Sequence, residues 1–131
     1  MAGNIRYVIL DTNFLLIPFL QNVDVFSEME RICDFPFRPA ILDRTKGELE
    51  SIKSNQKSSF RKAAGLAEQL IESKGIEVIR SAEEGHVEHV DDLILSVAKD
   101  RNAVVATQDA GLKKRLKGEG IKVIVLRQKK Y

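Results

Sequence analysis

The chain has 131 residues, 44% hydrophobic and 31% charged, with a net charge of only +2. That size suits one domain spanning residues 1–131 with a real core, and the composition excludes a disordered chain and a globally basic nucleic-acid binder. The longest apolar stretch, Phe14 to Leu20, contains Pro18 and is too short to cross a bilayer, so no membrane association is expected.

Met1 to Arg6 lacks the plan of a secretory signal peptide. Cys33 is the single cysteine, which fits a reducing, cytoplasmic setting and reads as a small core residue rather than a nucleophile.

In chain order, Tyr7 to Leu10 is a short apolar strand ending at Asp11. A helical segment follows through Phe14 to Leu20, with a break expected at Pro18. Asp24 is placed to cap a helix over Val25 to Cys33. Phe35 to Pro39 carries two prolines and reads as a connector, so the second strand is expected only over Ala40 to Leu42. Asp43 then caps a helix to Lys53, with Leu49 and Ile52 on its buried side. Phe60, Ala63, Ala64, Ala67, Leu70 and Ile71 share one face of the next helix, which Gly75 closes.

Ile76 to Ile79 is a third strand, and Ser81 to His89 is polar and irregular. Leu93, Ile94, Val97 and Ala98 line a helix over Asp91 to Arg101. Ala103 to Thr107 is a fourth strand, Ala110 to Lys117 a basic helix, Ile121 to Leu126 a fifth strand, and Arg127 to Tyr131 a polar tail. Strands alternating with helices favour an α/β fold on a parallel sheet with right-handed crossovers.

Four carboxylates fall at strand-to-helix junctions or helix starts: Asp11, Glu48, Asp91 and Asp109. The carboxyl ends of strands in an open α/β sheet form the ligand crevice. Each acid taken singly reads as a helix cap or a solvated helix edge. Together, acids gathered in a crevice repel one another and lose hydration, which a hard divalent cation such as Mg²⁺ or Mn²⁺ offsets with oxygen ligands. Asp11 comes with Thr12 and Asn13, and Asp109 with Thr107, as polar supports. Asp92 adds a second acid beside Asp91, and adjacent residues diverge by about 100° on a helix, so one of the two faces the crevice. Basic residues cluster at Lys113, Lys114 and Arg115, and again from Arg44 and Lys46 through Lys53, Lys57, Arg61 and Lys62. Beside an acidic cleft they suit the backbone of a polyanion; their bland reading is a solvated face. His86, His89 and Asp91 lack a fourth zinc ligand, so the histidines read as loop residues. Ile9-Leu10-Asp11-Thr12 faintly suggests an aspartyl-phosphate phosphatase, but position 13 is Asn where such chemistry wants an acid.

With those residues in view, the chain resembles the PIN domain, a small metal-dependent nuclease fold. The resemblance lies in Val8 to Leu16, Gly47-Glu48-Leu49, Asp91 to Ala98 and Val105 to Lys113. Val104 to Leu126 is most similar to the PIN branch that processes small-subunit ribosomal RNA; toxin ribonucleases of toxin–antitoxin pairs share the core. The resemblance implies a three-layer sandwich around a five-stranded parallel sheet ordered 3-2-1-4-5. It implies Asp11, Glu48, Asp91 and Asp109 as the acidic quartet holding one or two Mg²⁺ or Mn²⁺ ions, with Asp92 as an extra ligand and Thr12, Asn13 and Thr107 supporting them. The activity implied is endoribonucleolytic hydrolysis of RNA, with Lys113, Lys114, Arg115, Lys46 and Arg44 on its phosphates. The alternative is a non-catalytic RNA-binding or assembly module. A homodimer, a protein inhibitor and a ribosome-assembly partner are the protein partners it brings into view.

Overall fold

The computed structural model describes residues 5–55, 57–81 and 90–126. His86, His89 and the tail from Arg127 lie outside the described residues. The elements run β1 (Arg6–Leu10), α1 (Thr12–Gln21), α2 (Val25–Ile32), β2 (Phe37–Leu42), α3 (Asp43–Asn55), α4 (Ser58–Ser73), β3 (Glu77–Ile79), α5 (Val90–Arg101), β4 (Val104–Ala106), α6 (Ala110–Gly118) and β5 (Val123–Ile124). The five strands form one parallel sheet in the order β3-β2-β1-β4-β5. That is the expected order.

Alternation along the strands sends side chains into two cores. Val8, Leu10, Ile41, Val104 and Ala106 pack with α1, α2, α3 and α4 on one face. Ile9, Ala40, Leu42 and Val105 pack with α5 and α6 on the other. The central strands are therefore apolar on both faces, as a doubly covered parallel sheet requires.

Three sequence expectations are corrected. Helix α1 does not break at Pro18 but runs unbroken from Thr12 to Gln21. The proline costs about 3 kcal/mol in a helix interior. Phe14, Leu15 and Leu16 are all buried in α1, and each such side chain contributes about 1.5–3 kcal/mol, so packing wins. Strand β2 begins at Phe37 rather than Ala40 and contains Pro39. Pro36 O accepts from Arg6 N on the β1 side, so alternation turns Pro39 away from β1. The β3 ladder starts only at Ala40, and the missing N–H of Pro39 therefore falls on an unpaired edge. Strand β5 is shorter than expected because both its ends are engaged elsewhere. Ile121 N donates to Leu116 O at the close of α6, and Leu126 exchanges two hydrogen bonds with the Gln108 side chain.

The end of α4 follows its expected chemistry, one residue displaced. Lys74 is the C-cap, and Gly75 follows in the left-handed region at φ 61°. Gly75 N bonds Glu72 O and Ile76 N bonds Ile71 O, closing the helix into β3. A Cβ at Gly75 would meet no heavy atom within 4 Å, so only backbone strain opposes a side chain there. Gly75→Ala is expected to lower unfolding free energy by about 1 kcal/mol, read from urea denaturation midpoints at constant slope.

Candidate active site

Helices α1, α3, α5 and α6 all begin at the carboxyl edge of the sheet, each following a strand or the segment that leaves one. Their N-terminal dipoles point there, favouring negative charge at that edge. Asp11 is the N-cap of α1 and is 8% exposed. Its backbone N–H extends the β1–β4 ladder to Ala106 O, and its C=O accepts the first helical bond from Leu15 N. Asp11 Oδ1 accepts from Thr12 N at 2.8 Å, and Oδ2 accepts from Thr107 Oγ1 at 2.8 Å. Both carboxylate oxygens are thus held by groups on two neighbouring strand ends.

Thr107 is fully buried and ties the two acidic strand ends together. Its hydroxyl donates to Asp11 and accepts from Asp109 N at 3.1 Å. Asp109 caps α6, its Oδ1 accepting from Leu112 N at 2.7 Å. A Cβ at Gly111 would come 3.3 Å from that oxygen, so the glycine keeps the approach to the carboxylate open. On the other side, Thr12 Oγ1 donates to Glu48 Oε1 at 2.6 Å, which holds this α3 carboxylate beside the start of α1. Glu48 therefore lies toward the crevice side of its helix rather than the solvent side.

Burial pushes the Asp11 carboxyl above its ordinary 3.8. Hydrogen bonds from Thr107 and Thr12 act against that, and the charges of Glu48 and Asp91 add to it. Asp91 and Glu48 are thus near enough to Asp11 to be felt electrostatically. Asp92 points elsewhere: its carboxylate pairs with Arg115 at 2.5 Å across α5 and α6. Asn13 is exposed, and among the described residues no hydrogen bond joins it to the acids. Among the described residues, no three His, Cys, Asp or Glu side chains already stand at metal-ligating separation. Each acid instead has a local partner, as the donors above show for Glu48, Asp92 and Asp109. The donor set near Asp11 is all oxygen and acidic, and the charge it buries is of the kind a hard divalent cation offsets, so these residues fit such an ion.

Of the basic residues, Arg44 and Lys46 lie in the first turns of α3, the helix that carries Glu48, and Lys113 and Lys114 in those of α6, the helix that Asp109 caps. Lys53 is instead a strut between α3 and α4, bridging Glu50 at 3.3 Å and Glu68 at 2.7 Å. Sequence reasoning missed Thr45, which is 1% exposed and stands with its hydroxyl 3.3 Å from that of Thr12. Its signal was available: it precedes Glu48 by three, one helical turn, and so shares its face. Asp43, a helix cap by its sequence position, also accepts from the Ser81 backbone and hydroxyl, tying the ends of β2 and β3.

The profile of the PIN-like domain family matches residues 8–129. The chain belongs to that family. It is 31% identical over 125 residues to Ribonuclease VapC4 of Methanocaldococcus jannaschii, covering 95% of this chain and 92% of the relative. It is 29% identical over 129 residues to Ribonuclease VapC9 of Archaeoglobus fulgidus, covering 98% and 88%. Among solved structures, the PIN domain endonuclease Utp24 superposes with a TM-score of 0.74 at 25% identity, over 93% of this chain and 86% of that one.

The raised Asp11 value gives a pH dependence with a definite sign. Above 3.8 the unfolded chain has released this proton while the folded PIN-like domain still holds it. Stability contributed by this group therefore falls as pH rises from 3.8 through the folded value, and the full penalty is present above both. Asp11→Asn carries no charge. In metal-free buffer its urea midpoint is expected to gain on that of the parent as pH rises from about 4 to about 7. A difference that stays constant or shrinks over that range contradicts the buried-charge account.

Proposed function

We propose that this protein is a divalent-metal-dependent endoribonuclease. The observation that carries the reading is the Asp11 carboxylate, buried between Thr12 and Thr107 and within reach of the charges of Glu48 and Asp91, in a chain of the PIN-like family whose curated relatives are named ribonucleases. Asp11, Asp91, Asp109 and Glu48 are the residues that would hold Mg²⁺ or Mn²⁺. When bound, such an ion supplies Lewis-acid stabilisation of the phosphate and acidifies the attacking water.

The chain's own residues do the rest. Thr107 and Thr12 N fix both oxygens of Asp11, so the central carboxylate does not rotate as substrate arrives. Thr12 fixes one oxygen of Glu48 and leaves the other to orient water or ligate. Lys113 and Lys114 on α6, with Arg44 and Lys46 on α3, hold flanking phosphates without reading bases. Arg115 is committed to Asp92, so it contributes to the phosphate surface only as half of that pair. A binding-only module has no use for buried negative charge beside phosphates, which it would have to overcome electrostatically.

Asp11→Asn is expected to abolish Mn²⁺-dependent cleavage of structured ribosomal RNA fragments while the circular dichroism spectrum stays that of the parent. Cleavage at the parent rate ends this reading. Binding without cleavage by the parent, over a full Mn²⁺ titration, favours the RNA-binding module. The narrower reading as a toxin of a toxin–antitoxin pair separates by growth arrest on expression, relieved by Asp11→Asn.

A further inference from the structure

Three hydroxyl and carboxyl groups form a line behind the acidic crevice: Thr45 on α3, Thr12 at the start of α1, and Glu48 one turn beyond Thr45. Thr12 Oγ1 lies 2.6 Å from Glu48 Oε1 and 3.3 Å from Thr45 Oγ1. A hydroxyl carries one proton, and an ionised carboxylate only accepts. The proton of Thr12 is therefore committed to Glu48 at the shorter distance, and the Thr45 hydroxyl must donate to the Thr12 oxygen. The order of donation is Thr45 to Thr12 to Glu48. Thr45 is 1% exposed and Thr12 4% exposed, so water does not compete for either hydroxyl. No buried side-chain nitrogen or oxygen among the described residues is left without a partner, and Thr12 and Thr45 find theirs in each other and in Glu48.

We infer that Thr45 is a positioning residue for the acidic site: it sets the hydroxyl orientation of Thr12 and, through it, the oxygen of Glu48 that faces the crevice. Thr45 never touches substrate in this role. It acts as the outer partners of metal ligands do, by fixing the rotamer and basicity of a group that does. Its effect rests on the ribonuclease reading for activity, but on metal binding it can be read without it.

The test compares the full-length parent with Thr45→Val, which keeps shape and removes the donor, and Thr45→Ser, which keeps the donor. Each is titrated with Mn²⁺ by electron paramagnetic resonance and assayed for RNA cleavage. Loss of an outer hydrogen-bond partner at a metal site typically costs about 10–100-fold, so Thr45→Val should weaken Mn²⁺ binding and lower kcat on that scale. KM for RNA should stay within about twofold, because phosphate contacts are untouched. Thr45→Ser should restore both, and Thr45→Val should add nothing in a Glu48→Gln background, since the chain ends there. Parent-like Mn²⁺ affinity and kcat in Thr45→Val overturns the inference. So does a Thr45→Ser as impaired as Thr45→Val, which would assign the effect to packing. If Thr45→Val does not fold, Thr45→Ala takes its place beside Thr45→Ser: weaker Mn²⁺ binding in the alanine variant with parent-like binding in the serine variant supports the relay, and equal binding in the two overturns it. A parent that binds Mn²⁺ and cuts no RNA overturns the proposed function, while the Mn²⁺ titrations still judge Thr45.

Discussion

The Asp11 carboxylate lies almost out of water at the end of a strand whose last three residues are fully buried, next to two further negative charges. Burial of this kind disfavours the charged form and lowers the stability of the fold at neutral pH. The surrounding architecture can be understood as the set of contacts that makes that placement tolerable. The β1–β4 ladder carries Asp11 to the crevice, Thr107 and Thr12 N each take one of its oxygens, and the start of α1 directs a helix dipole at it. None of these removes the penalty, since burial outweighs the hydrogen bonds at Asp11.

The charge layout explains how a chain with a net charge of only +2 could handle a polyanion. Of the 21 positive side chains, Arg44 and Lys46 stand on the opening turns of α3 and Lys113 and Lys114 on those of α6, the helices that carry Glu48 and follow Asp109. On the proposed function, a backbone phosphate held by those lysines meets the charges of Asp11, Glu48 and Asp91, and a cation between them would offset the repulsion.

Much of this was legible in the sequence. Asp11 and Asp109 follow short apolar runs, and strand-then-acid-then-helix places a side chain at the carboxyl edge whatever the strand order. The helices α2, α4 and α5 carry apolar spacing that only one face can satisfy. The strand order itself was not written in spacing or periodicity; it came from resemblance to a family. What could not be read locally depended on partners far away in sequence. Pro39 is admissible in β2 only because β3 pairs one residue later. Ile121 looks like strand, but its N–H closes α6. Asp92 looks as able to ligate as Asp91 until Arg115, 23 residues on, takes its carboxylate. Thr45 is an ordinary first-turn threonine until α1 brings Thr12 against it.

Whether Asp11, Asp91, Asp109 and Glu48 take up a cation decides the proposed function. Crystals soaked in Mn²⁺, with anomalous differences collected at the manganese edge, measure that directly. An anomalous peak is expected at the carboxyl edge of the sheet, with oxygens of Asp11, Asp91 and Asp109 as ligands, Glu48 bound or linked through water, and Asp92 still on Arg115. No peak there at saturating Mn²⁺, or a peak only at another face of the molecule, contradicts it.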